Sequence, residues 1–181
     1  MRTIRTKVYK FAELSEEAKE NAINNIRDKQ GEDGYFWGDD CIESLKGFAK
    51  HFNCELRGYS FDWDSAGRSR VTFEVPDYME DMAKEDLKIG IESMGSYNPE
   101  TLKGHGECKF TGYMADENAA DGARIAFYKD GERDVLQLLI AGFNTWIQAC
   151  VADYEHQQSD EAIIEDIEAN DYEFYKDGTQ Y

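Results

Sequence analysis

Pro76 and Pro99 are the only prolines in the chain, so no proline-rich linker divides it, and a single domain over residues 1–181 is expected. Cysteine is also scarce. Cys41, Cys54, Cys108 and Cys150, separated by 13, 54 and 42 residues, form no compact disulfide framework. Free thiols in a reducing cytoplasm are the expectation. No segment reaches the roughly 18 consecutive apolar residues of a membrane span. Arg2, Arg5, Lys7 and Lys10 interrupt any apolar run at the start, so no signal peptide is expected. Positive charge is in short supply: 20 Lys and Arg stand against 38 Asp and Glu, a net −18. That argues against direct binding to nucleic acid, which calls for a basic patch, and against anionic membranes. Catalytic signatures are missing too. There is no G-x-S-x-G elbow, phosphate-binding loop or H-E-x-x-H. Three histidines without a supporting motif make no triad, so neither an enzyme nor a cofactor is expected.

What is present is an aromatic-rich globule: 41% of residues are apolar and 13% aromatic, enough to build a core and inconsistent with disorder. A charge of −18 exceeds the roughly 2–8 that solubility asks of a small domain. It is also unevenly placed. Residues 1–30 carry seven basic and five acidic residues, net +2, whereas residues 151–181 carry ten acidic residues and one lysine, net −9. Half of the net charge thus lies in the last sixth of the chain, where it suits a basic protein partner or bound cations.

The periodicity predicts an α+β fold: an antiparallel sheet of roughly five or six strands with helices packed on one face. Residues 3–11 alternate as a strand, with Ile4, Val8 and Phe11 apolar among basic neighbours. Ser15 is a natural N-cap for a helix carrying Ala18, Ala22, Ile23 and Ile26 on one stripe, with Gly31 as its stop. A second helix spans 40–52. Residues 56–75 read as a hairpin turning at Gly67, and 77–93 as a weaker helix. "CKFTGYMA" and "ARIAFYKDG" suggest a second hairpin. Residues 133–157 form a long core helix, with Leu138, Leu139, Phe143, Trp146 and Cys150 on a broad apolar face. Ser159 caps a short helix over 160–169, and "YEFY" is a closing strand. "LSEEAKENAINN" and "QSDEAIIEDIEAN" echo each other, which common N-cap chemistry explains.

Two metal patterns fall short of a site. "DWDSAG" places Asp62, Asp64 and Gly67 at the first, third and sixth positions of a calcium loop, but Ala66 and Phe73 stand where ligands belong. A hairpin turn is the better reading. His51–Cys54 and His105–Cys108 are both H-x-x-C, a donor set zinc accepts if the pairs meet, but the usual C-x2-C half-site is absent. No metal ligand is assigned.

The acidic tail is the more informative feature. At about 100° per residue, Ile163, Ile164 and Ile167 share one side of the 160–169 helix and should face the core. Glu161, Glu165 and Glu168 line up on a flanking ridge, with Asp160 and Asp166 near it and Asp171 and Glu173 extending it along the strand. Like charges at i and i+4 destabilise a helix, so mixed charges would serve solubility better. A row of fixed negative charges is what a phosphate backbone presents to a basic groove. These seven residues are the candidate partner-binding set, a surface able to occupy a nucleic-acid channel in place of DNA.

"KVYKFAELSEEAKENAI" and "SDEAIIEDIEANDYEF" resemble the two ends of a family of small acidic proteins from phages and bacterial mobile elements that includes a type II-A anti-CRISPR inhibitor of Cas9. The resemblance covers about 35 residues, mostly capped structural motifs. It implies a protein that binds the Cas9–guide RNA complex in the bacterial cytoplasm and hinders engagement of target DNA. It carries over no residue roles. An antitoxin-like or regulatory module bound to another basic protein is the alternative, and a zinc protein or enzyme using the H-x-x-C pairs is a third.

Overall fold

A computed structural model describes residues 7–80, 82–105, 110–111 and 115–181. The chain packs as two compact units. A terminal unit joins the residues up to Phe36 with Tyr154–Tyr181, and a central unit comprises Trp37–Asp153.

The terminal unit brings the two ends of the chain together. Strand β1 (Tyr9–Lys10) pairs antiparallel with β4 (Glu173–Phe174), Tyr9 opposite Phe174 and Lys10 opposite Glu173. A 3-10 turn over Phe11–Glu13 leads into helix α1 (Glu16–Asp33). Ser15 Oγ accepts from the amide of Ala18 at 3.3 Å, and Ser159 Oγ accepts from Ala162 at 3.2 Å to start helix α7 (Asp160–Ala169). Each cap satisfies one of the orphan amides of its helix, so the echo between the two segments is indeed shared cap chemistry. Ala18, Ala22 and Ile26 of α1 close on Ile163 and Ile167 of α7, with Leu14 and Phe174 completing the cluster. The small alanines let α1 approach closely. The C-terminal turn comes closer still: a Cβ on Gly178, whose φ is +91°, would sit 2.1 Å from the carbonyl oxygen of Ala18.

In the central unit, helix α2 (Gly38–His51) packs against hairpin β2 (Glu55–Ser60)–β3 (Arg70–Glu74) and against helix α5 (Ala115–Ile125). Short helices α3 (Asp77–Glu80) and α4 (Lys84–Ser93) follow the hairpin. Helix α6 (Val135–Gln157) is the long core helix foreseen over 133–157. Leu138, Leu139 and Trp146 on it are wholly buried. Phe61, just past β2, meets Trp146 with ring centroids 5.1 Å apart, so these rings fasten the hairpin to α6. Length and apolarity would let α6, alone among the described helices, cross a membrane, but half of its apolar window is buried in the structure.

The sheet of five or six strands is not there. Among the described residues the structure has seven α-helices and two sheets of two strands each, and no layer of helices on a broad sheet face. The first hairpin is correct, with β2 and β3 paired from Glu55 opposite Glu74 to Ser60 opposite Arg70. The second is overturned: "ARIAFYKDG" is the end of α5 followed by a π-helical turn, Ala126–Asp130. Alternation across 124–125 is reversed, with Arg124 1% exposed and Ile125 half-buried. The buried series is instead Ala119, Ala123, Ala126 and Phe127, which is helical spacing. Most of "CKFTGYMA" lies outside the described residues. The end strands shrink to two residues each, a clip in place of sheet members, and residues 3–6 of the expected first strand lie outside the described residues. Gly31 does not stop α1. The helix runs on to Asp33 and ends at Gly34, where φ is +79°, the left-handed conformation that glycine adopts without a Cβ penalty.

Candidate partner-binding surface

Helix α7 presents its acids because its opposite side is committed to the core. Ile163 and Ile167 are 0% and 1% exposed, which commits about 1.5–3 kcal/mol each to holding the helix in place. Ile164, expected to face the core with them, is only half-buried. The ridge acids Glu161, Glu165 and Glu168 are exposed, and none makes a hydrogen bond or ion pair with a described residue. Their spacings of four and three residues correspond to about 6 and 4.5 Å along the axis. One strand of DNA carries a phosphate about every 3.4 Å of axis, so the ridge is a sparser row of the same sign.

The other four acids of the set are engaged within the terminal unit. Asp160 pairs with the Arg27 guanidinium, which also donates to the Gln158 carbonyl at 2.9 Å. Asp166 accepts from the Asn170 amide at 2.8 Å, closing the C-terminal end of α7. Burial, together with the charge and hydrogen bond of Asp166, raises the Tyr172 phenol pKa above its ordinary value. Lys10 reaches across the β1–β4 clip to Asp171 at 2.9 Å and to Glu173 at 3.3 Å. The hydrogen bond from Lys10 to Asp171 is the main reason its ammonium is held above the ordinary lysine range. Lys10 also donates to the Asp171 carbonyl at 2.9 Å, gripping a residue whose φ is +54°.

Lys10 and Arg27 are therefore the residues the sequence reading missed. Their signal was in view: the net positive start and the strongly negative end of the chain are complementary, and the structure joins them. Their effect is to divide the candidate set. A ridge of three carboxylates has no counter-charge among the described residues, while the ends of the tail are paired with cations from the start of the chain.

The metal patterns resolve into turns and packing. Asp62 receives the amide of Asp64 at 3.1 Å and pairs with Arg68 at 2.5 Å, so a guanidinium occupies the place a cation would take. His51 Nε2 lies 2.9 Å from the Gly90 carbonyl and its ring packs against Phe52 and Phe110. Burial raises the Cys54 thiol to about 11, and its Sγ donates to the Phe52 carbonyl at 3.2 Å. Cys108 lies outside the described residues. Among the described residues, no three His, Cys, Asp or Glu side chains gather around a common metal position. Comparison with family models, with curated proteins and with solved structures finds no match for the chain.

Proposed function

We propose that this chain is a non-enzymatic anti-CRISPR inhibitor of phage or mobile-element origin. It binds Cas9 loaded with guide RNA in the bacterial cytoplasm and hinders target DNA binding by presenting an acidic, DNA-mimicking surface. A Cas9-type effector holds its heteroduplex in a positively charged channel and reads the adjacent motif with arginines, and such a surface attracts a row of fixed carboxylates. The carrying observation is the ridge of Glu161, Glu165 and Glu168, exposed and without a counter-ion among the described residues, on a helix whose other side is anchored. Helix stability accounts for Glu161, which lies in the first turn where the dipole favours an acid, but not for the row as a whole. Glu161 and Glu165 repel each other at i and i+4, and Glu168 sits at the C-terminal end, where the dipole favours a cation. The part of the ridge that works against its own helix, Glu165 beside Glu161 and Glu168 at the C-terminal end, is accounted for by a partner that neutralises it.

In this reading the ridge makes the contact, and Asp160, Asp166, Asp171 and Glu173 contribute field while their hydrogen bonds hold the tail in position. The experiment is a competition: purified Cas9, with and without guide RNA, is titrated with this protein against labelled target DNA at several salt concentrations. The expected result is loss of DNA binding that weakens steeply with salt. Glu161→Gln, Glu165→Gln and Glu168→Gln combined should weaken inhibition by about tenfold or more and flatten its salt dependence. No complex at low salt ends the Cas9 reading. Full inhibition by the triple variant ends the role of the ridge.

A further inference from the structure

The surface of the central unit carries an open pocket of about 310 Å³ lined by Tyr97, Pro99, Glu100, Leu102, Tyr128 and Lys129, of which only Leu102 is buried. That volume is at the lower end of small-molecule sites. One wall is the loop between α4 and α5, and the other is the π-helical turn after α5. The loop is held at both ends. Arg124, 1% exposed, donates from Nη2 to the Gly95 carbonyl at 3.2 Å, while its ion-pair partner Asp121 accepts the Gly104 amide at 2.7 Å. Asn98 closes the loop on itself, donating its amide to the Lys103 carbonyl at 2.8 Å. Leu102 is buried with φ at +61°, a left-handed conformation unusual for a residue with a branched side chain. Strain of this kind and π-helical turns both concentrate at functional sites. A strained leucine and a widened helical turn thus meet at one pocket, on a loop that a buried ion pair holds at both ends.

Its polar groups point to a ligand class. Tyr97 donates its hydroxyl to Tyr128, which donates to Glu92, so both phenols are tied down as fixed walls. Burial and these hydrogen bonds raise the Tyr128 phenol well above its ordinary pKa and keep it protonated. Glu100 and Lys129 also line the pocket, yet their side chains pair neither with each other nor with any other described residue. Opposite charges that share a pocket without meeting leave an anion site and a cation site on either side of an apolar floor of rings, proline and leucine. We propose that this pocket binds a small zwitterion with a flat aromatic body, the chemistry of a free aromatic amino acid. Its ammonium meets Glu100, its carboxylate meets Lys129, and its ring lies on the tyrosine, proline and leucine surface. This site is independent of the acidic ridge and of the Cas9 reading.

The test is amide NMR of the full chain titrated with L-tryptophan, with tryptamine, which lacks the carboxylate, and with indole-propionate, which lacks the ammonium. The expected result is saturable shifts with tryptophan confined to residues 97–104 and 126–130, with each truncated analogue about tenfold weaker. Glu100→Gln and Lys129→Gln, both on the surface and therefore well folded, should each weaken tryptophan by about the same factor. The proposal is overturned if tryptophan gives no saturable shifts, if the shifts fall elsewhere, if the analogues bind as tightly as tryptophan, or if neither variant changes the affinity.

Discussion

Helices α5 and α7 are both short and rich in acids, yet they use those acids in opposite ways. In α5, "ADENAADGARI", Asp116 is 1% exposed and accepts from the Ser44 hydroxyl and from the Thr111 amide and hydroxyl. Asp121 pairs with buried Arg124 and holds the Gly104 amide. In α7, "DEAIIEDIEA", the glutamates Glu161, Glu165 and Glu168 face outward with no described partner. The difference follows from side-chain length and from neighbours. Short aspartates between small alanines can turn inward to hydrogen-bond passing loops, whereas long glutamates opposite an isoleucine stripe are pushed outward by the packing of that stripe. Acid content alone says nothing about role, since one helix builds a scaffold with its carboxylates and the other displays them.

Substitutions can break this contrast, beginning with the core that supports the displayed acids. Ile163→Ala should destabilise the terminal unit by about 3 kcal/mol, because it removes buried methyl groups and leaves a cavity at a position with 0% exposure. Hydrogen exchange should locate the loss at α1 and α7 first. Asp116→Ala should cost about 2 kcal/mol, since it leaves the Ser44 hydroxyl and the Thr111 amide without their acceptor. Denaturant unfolding would measure it, and a neutral result would show that α5 does not use Asp116 as a tie.

The triple change of Glu161, Glu165 and Glu168 to Gln should move stability by no more than about 0.5 kcal/mol, and in the stabilising direction, because it removes like-charge repulsion. A stable variant that has lost inhibition is the sharpest form of the contrast. The smallest effect concerns pH. Burial is the largest influence on Asp121 and raises its pKa in the folded protein, against the Gly104 amide and Arg124, which lower it. A raised carboxyl pKa means the native state holds the proton longer than the unfolded chain. The resulting stability is therefore full below the ordinary aspartate pKa and is lost as pH rises through the raised value. The difference in unfolding free energy between the parent and Asp121→Asn should show that slope just above the ordinary carboxylate range. A flat difference there would mean that Asp121 is not perturbed by its burial.

Much of the terminal unit could be read from single segments. The Ser15 and Ser159 caps, the alanine and isoleucine stripe of α1, the bounds of α7 and the outward ridge all appear in the structure, because a capped amphipathic helix is encoded by residues within one or two turns of each other. The β content could not be read the same way. "ARIAFYKDG" carries strand-like residues, and what turned it into helix and π turn was burial of Ala119, Ala123 and Arg124 against neighbours distant in sequence. Tertiary packing overrides a short period-two pattern, since strand propensity is mostly a matter of what the pleated face would touch.

Composition and local periodicity were enough to determine where the capped helices α1 and α7 begin, which side of α7 is apolar, and that the last residues carry an excess of negative charge. Only the tertiary structure decided which of those charges pair with a described cation. Lys10 and Arg27 lie more than a hundred residues from Asp171, Glu173 and Asp160, and only the closure of β1 on β4 and of α1 on α7 brings them within ion-pair distance. The open pocket between the 95–105 loop and the π turn is likewise a product of folding, with Tyr97 and Tyr128 meeting across an intervening helix. A helix is specified by neighbours in sequence, whereas the pairing of a charge depends on which distant segment the core brings to its side.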